Sequence, residues 1–244
     1  MPHLRFDNYS TYWDVITAVY LLTYLIGAGK VSLDNISWFT PHVIAADAEK
    51  FSNYKTIESK VKLPVAYRTR QCDMLSVPES TSFTWRLSVK TAPEKLRFII
   101  VGFQTAKDGD ETRNLSTFDH VNLKNAYVTL NSDRYPAVDY NLSFANHKFS
   151  RIYGDAAVYG VKFFGMDELI TQSNITSSDY ETLYHLFTFD VSKQKEKLKS
   201  SVVDPQIKAN FTETVPANTR AFALVISDKM LSFQSDGNKM SEVY

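Results

Sequence analysis

Cysteine is almost missing from this chain. Cys72 is the one cysteine among 244 residues, which excludes an internal disulfide framework and a four-thiolate zinc site. A reducing, intracellular setting, cytoplasm or nucleus, is the expectation. A charge excess is missing too. With 27 basic and 27 acidic residues, nothing drives the chain in general toward nucleic acid or a membrane surface. No Gly-rich linker divides the chain after Ser32, and no internal repeat is visible. No apolar run is long enough to span a bilayer as a helix, which takes about 20 residues. The most hydrophobic stretch, Val15–Ala28, is VITAVYLLTYLIGA. Arg5 before it and the small residues Gly27-Ala28-Gly29 behind it suit a signal peptide. Asp7 and Asp14 count against that, and a buried strand or helix is the alternative.

Catalytic signatures are equally scarce. No G-x-S-x-G, Walker or dinucleotide-binding pattern occurs. The histidines His3, His42, His120, His147 and His185 form no H-x-H or H-E-x-x-H pair, so neither a metal site nor a cofactor is expected. Asp119-His120 reads as a structural hydrogen bond at a strand start. Arg68 and Arg70 lie near Cys72, and cationic neighbours activate thiolates. A small, partly buried strand or loop residue is nevertheless the reading for Cys72. Lys162 and Asp167-Glu168 read as ordinary surface charges, and Lys193–Lys199, KQKEKLK, as a solvated charged segment. The sequons at Asn35, Asn114, Asn141, Asn174 and Asn210 carry no weight without secretion. The expected catalytic, cofactor-binding and metal-binding residues are therefore none, and the protein is not expected to be an enzyme.

Aromatic residues are plentiful. Sixteen Phe and fourteen Tyr suit a β-rich protein with broad packed faces. Phe98–Phe103 is an apolar run broken only by Gly102, the pattern of a strand covered on both faces. Phe98, Ile100 and Phe103 are expected in the sandwich core. Asn122–Leu130 alternates with one slip near Asn125 and Ala126 that a bulge absorbs. The polar loop Ala106–Thr117 between them is expected in solvent. Asn131-Ser132-Asp133 is turn chemistry, and Tyr135-Pro136 is extended. Lys60–Tyr67 and Ser82–Lys90 alternate as strands, with Pro64 at an edge or bulge. Ala45–Tyr54 tolerates helix, Phe144–Phe164 is a helix-or-loop excursion, and Ser178–Leu186 is a short capped helix. Phe187–Val191, Val202–Thr212 and Ala221–Ser227 are the last strands, with Pro205 again suggesting an edge or bulge. The fold class is all-β: a sandwich of about eight strands with helical excursions in its loops.

Several ordered blocks carry a resemblance. ISWFTPHVIAADAEK, LPVAYRTRQCDML, TSFTWRLSV, EKLRFIIVGFQT, FDHVNLKNAYVTLNSDRYP, FTFDVSKQKEKLKSSVVD and VPANTRAFALVISD resemble the double jelly-roll proteins related to major capsid proteins of Polinton/Maverick elements and adintovirus-like viruses. The resemblance runs over roughly Val31–Tyr244. It implies two sandwiches side by side, trimeric capsomers packed as pseudo-hexamers, a place in the virion of an active element, and no catalytic residues. Only about 30 residues precede the resembling region, too few for a second eight-stranded roll. The expected division is thus a remnant or appended hydrophobic segment at 1–30 and a jelly-roll domain at 31–244. Two functions follow: a structural, capsid-like protein that self-associates, with assembly impaired if a roll is missing, or a jelly-roll binding module of lectin type. A specific nucleic-acid site and firm membrane association are not expected.

Overall fold

Alternating apolar and polar residues over short stretches, punctuated by Asn- and Pro-containing turns, build strands that need a second layer over their apolar faces. The structure, a computed structural model, describes residues 37, 44–88, 95–110, 112–131, 133–164, 175–193, 203–236 and 239–243. The run Val15–Ala28, His3, His42, Asp167-Glu168 and most of Lys193–Lys199 lie outside them. In chain order the elements are α1 (Asp47–Glu58), β1 (Leu63–Ser76), β2 (Ser82–Arg86), β3 (Lys95–Thr105), β4 (Leu123–Leu130) and β5 (Asp133–Tyr135). A 3-10 turn (Phe144–Asn146), α2 (Ser150–Phe164), α3 (Ser177–Thr182), β6 (Phe187–Asp190), β7 (Pro205–Phe211), β8 (Thr219–Ser235) and β9 (Met240–Val243) follow.

The pairing of the first eight strands is nested. β4 lies antiparallel to β5, β3 to β6, β2 to β7 and β1 to β8. The chain is thus one long antiparallel ribbon folded back on itself at the β4–β5 turn. Rolling that ribbon sends alternate pairs to opposite sheets. One sheet has the order β1-β8-β3-β6, with β9 added to β8, and the other β2-β7-β4-β5. This is the winding of a jelly roll, eight strands in two facing sheets.

The gap between the sheets is filled by Trp85, Leu87, Ile99, Val101, Phe103, Val128, Ile207, Val225 and others in one cluster. Phe103 sits among Phe83, Phe187 and Phe211, with ring centroids 6.3, 5.8 and 5.7 Å away. Phe98 and Ile100 are not part of this core. They lie on the outer face of β3, where Phe98 joins Phe163 and Ile226 in a second cluster, packed by Ile100, Tyr159 and Leu224. Period two explains the correction: Phe98 and Phe103 have opposite parity, so one strand cannot send both to one face. The helix α2 provides the outer cover. The Lys162 ammonium, 2.8 Å from Asp190 Oδ2, ties it to β6. Burial alone would raise the Asp190 carboxyl, but hydrogen bonds from Lys162 and Ser192 outweigh it and hold it below the usual range.

Other expectations meet local corrections. The bulge in β4 falls at Lys124, between Leu123 and Asn125, one residue before the slip in the pattern. It turns Asn125 inward, where its amide donates to Asp139 Oδ1 (2.8 Å) and accepts from the Tyr140 amide (3.0 Å). Pro205 starts the interior strand β7 and is not on an edge. A first strand position tolerates proline because its missing N–H leaves no gap in the ladder. Pro64 does lie on an edge strand. The loop after β3 is mostly exposed, but Lys107 is buried beneath it, with its ammonium 2.7 Å from Thr117 O and 3.2 Å from Asp119 Oδ1. The short helix α3 is capped by Thr176, whose hydroxyl accepts from the Asp179 amide. Asn131, between β4 and β5, has φ 55°, a left-handed conformation asparagine tolerates well.

Candidate interface

Strand length sets apart one region of the surface. β7 and β4 have 7 and 8 residues, whereas β1 and β8 have 14 and 17. At about 3.3 Å per residue, β8 is about 56 Å long and β7 about 23 Å. The sheet of β1 and β8 therefore overhangs its partner. Beyond Thr69 and Ser227 a ribbon of β1, β8 and β9 continues, with Leu63 paired to Phe233, Val65 to Leu231 and Tyr67 to Lys229.

Alternation carries over from the sandwich into this ribbon. Leu63, Val65, Tyr67, Leu231 and Phe233 extend the core-facing side, and Ala66, Arg68 and Met230 the other. Neither side is sealed. Val65 is 45% exposed, Tyr67 37%, Met230 65% and Met240 40%. Nearby α1 has no buried residue, and its Phe51 and Tyr54 are exposed as well. The Gln234 side chain donates to Lys60 O at 2.8 Å, fixing the turn after α1 against the end of β8. The outer edge of β1 pairs with no strand among the described residues. A long edge of this kind is a template for further pairing. Where ribbon and sandwich meet, the Asp228 carboxylate lies 3.5 Å from Arg68 and 3.2 Å from Arg97. Arg68 also stacks over the Phe163 ring at 4.7 Å.

The residues singled out for chemistry are dispersed. Cys72 is on β1, as a strand residue, but is exposed and not partly buried. It lies on the outward side of an edge strand. Desolvation, then the Asp73 charge, pushes its thiol up, the opposite of activation. Asp119 and His120 do not bond each other: Asp119 accepts from the Thr105 amide at 2.7 Å, and His120 Nδ1 from the Asn122 amide at 2.9 Å. His147 pairs with Glu181. His120 and His185 do meet, with ring centroids 5.1 Å apart, though 65 positions separate them and no short motif announces the contact. Among the described residues no group of His, Cys, Asp and Glu could hold a metal ion. No described helix is long and apolar enough to cross a membrane. The ribbon also escaped the sequence pattern, although Leu231 and Phe233 alternate beyond the predicted strand end and signalled it.

The Double jelly roll-like domain family matches residues 19–231. The chain belongs to this family. Membership agrees with the nested pairing of its eight strands. Among solved structures, this double jelly-roll chain is similar to the PBCV-1 virus capsid at 11% identity and TM-score 0.43, over 79% of this chain and 54% of that one. It is similar to the Sputnik virophage at 11% identity and TM-score 0.39, over 75% and 38%. PBCV-1 VP54 fitted into a Sputnik reconstruction gives 10% identity and TM-score 0.39, over 81% and 54%. The chain thus spans about half the length, or less, of these structures. No curated protein matches it.

Proposed function

We propose that the protein is a structural, capsid-type component that acts by self-association, in the manner of virus- or transposon-derived double jelly-roll proteins. The overhanging ribbon carries this reading. A sheet built for a sandwich is continued by residues with apolar side chains on a face that no second sheet covers among the described residues, in a chain of a double-roll family. A sheet with one apolar face needs another layer over it, and a neighbouring roll supplies one. On this reading the roll associates side by side with others into trimeric, pseudo-hexameric capsomers of a Polinton- or adintovirus-like particle, and no catalysis is involved. The segment 1–30 is then an appended or remnant piece beside a jelly-roll domain at 31–244.

Light scattering of the purified chain over a concentration and salt series tests the proposal. The expected result is a mass that rises with concentration and is little reduced by salt, because apolar contacts are not screened. A Val65→Glu/Met230→Glu variant should remain monomeric and melt like the parent. A strict monomer at every concentration overturns the reading. A monomer that binds immobilised sugars would favour the lectin-type alternative.

A further inference from the structure

At one end of the sandwich two imidazoles, His185 buried and His120 half-buried, hold three separate segments together. His185, just after α3, is only 3% exposed. Its Nδ1 lies 2.7 Å from Phe118 O and its Nε2 2.8 Å from Glu181 O. The His120 ring stacks flat on Phe144 of the 3-10 turn at 4.8 Å and meets His185 edge to face. His120 Nδ1 accepts the Asn122 N–H at 2.9 Å, so in this arrangement that nitrogen carries no proton. The hydrogen bond closes a strained corner: Val121 has φ 43° and Asn122 φ 53°. A β-branched residue is seldom left-handed and stays so only where its surroundings hold it. The Phe118 amide donates to Leu183 O at 2.8 Å, completing the joint between the segment before β4 and the end of α3.

We propose that this joint is a proton-sensitive clasp, closed while the His120 ring is neutral and opened by mild acid. Protonating His120 Nδ1 removes the acceptor that holds Asn122 and the Val121 corner. His185 is not the switch, since each of its ring nitrogens faces a carbonyl oxygen and a protonated ring would donate to both. The surrounding charges do not compensate. Asp119, on the same segment as His120, is already bonded to the Thr105 amide and to Lys107. Glu181, on α3, already pairs with His147 beside the 3-10 turn. Tyr180, on α3, is buried and its hydroxyl is held by Leu186 O. Burial is the main effect that draws both imidazoles below their ordinary 6.5; His185 adds to it for His120, while Asp119 for both rings, and the two carbonyls and the Glu181 charge for His185, oppose it only in part. Opening frees α3 and the 3-10 turn and leaves the two sheets in place.

Hydrogen exchange at pH 7.5 and pH 5.0, corrected for intrinsic rates, tests the clasp. Amides in Phe118–Leu123 and Ser177–Phe187 should lose protection about tenfold or more at the lower pH, a tenfold change corresponding to about one pKa unit between closed and open forms. Amides of β4 beyond Leu123 and of β7 should not change. His120→Asn keeps an acceptor near the Nδ1 position and cannot be protonated, so it should remove much of the response. Uniform loss over the whole chain, no loss at all, or a full response in His120→Asn each overturns the proposal. Should that variant not fold, NMR titration of the parent decides: His120 should titrate below 6.5, and a value at or above it rules the clasp out.

Discussion

β8 passes through two environments in seventeen residues. From Thr219 to Ser227 its inner face meets the opposite sheet, and Ile226 on its outer face is sealed beneath α2. From Lys229 to Gln234 no residue is buried, and only the terminal Ser235 is. The side chains differ in a way that at first looks backward. The inward positions of the covered half are small, Ala221, Ala223 and Val225, all buried to 1% or less. Those of the ribbon are larger, Leu231 and Phe233. A gap of about 10 Å between sheets is finite, and here Phe103, Phe187 and Phe211 already fill it, so β8 contributes alanines. In the ribbon no described strand lies opposite to limit size. Residue size along this strand therefore records what lies across from it.

The largest expected effect breaks the comparison at its covered end. Phe103→Ala, between the sheets, and Phe98→Ala, beneath α2, should each lower stability by about 3–5 kcal/mol. Urea denaturation measures this. Phe233→Ala in the ribbon should cost less than about 1 kcal/mol, because truncating a part-exposed ring leaves no closed cavity. An equal loss at Phe233 would mean that the ribbon has a cover of its own.

Gly102 offers the next test. It lies on the outer face of β3, beside Phe98 and Ile100 in parity. A Cβ there would stand 2.5 Å from Phe118 Cδ1 and 3.1 Å from Leu186 Cδ2. Gly102→Ala should therefore cost about 1–3 kcal/mol by overpacking, and a thermal melt would register it. A stabilised variant would show that Phe118 is free to swing aside.

The sandwich was largely legible in the sequence, and the reason lies in particular strands. Phe98–Phe103 and Ser82–Leu87 carry patterns only buried strands have, and Asn131 marks its turn by its side-chain chemistry. The faces were less legible. The uninterrupted run of β3 shows that both sides are covered but not by what, so α2 was missed as a second layer and Phe98 was assigned to the wrong side. Lengths failed for a related reason. Beyond Tyr67 and Ser227 the chain reads RTRQCD and DKM, and polar residues at the mouth of the sandwich interrupt the alternation although the backbone pairing continues. The joint of His120 with His185 depends on a contact across the roll, which no local spacing encodes.

Acid should separate the two ends of the molecule. His120 and His185 have depressed folded-state values relative to the ordinary 6.5. The unfolded chain then binds more protons over the range below 6.5, so their contribution is complete above 6.5 and is lost as pH falls through the lower folded values. The carboxylates Asp190 and Asp204 are also depressed, from 3.8, so their contribution is lost only below that value. Urea midpoints should therefore fall in two steps, the first beginning as the pH drops below 6.5. A midpoint that stays flat down to pH 4.5 would remove the histidines from the stability of the fold.

The smallest effect on stability falls on the ribbon and tests what its large side chains are for. Val65 and Met230 are 45% and 65% exposed and lie on opposite faces of the β1–β8 pair, at adjacent rungs. Replacing either with serine removes little buried area, and surface changes of this kind usually fall within about 0.5 kcal/mol. If the ribbon serves only the folded monomer, nothing else should change. If it meets another roll, each substitution should weaken association while the melting temperature stays fixed. Two faces give a finer distinction. Loss on Val65→Ser alone would place the partner on the side continuous with the core, in the manner of a second sheet. Loss on Met230→Ser alone would place it on the side of α2. Equal loss from both would indicate pairing along the open edge of β1, where a new strand contacts side chains of both faces. Sedimentation velocity of the two variants beside the parent separates these outcomes, and unchanged association in both would leave the ribbon without a role in self-contact.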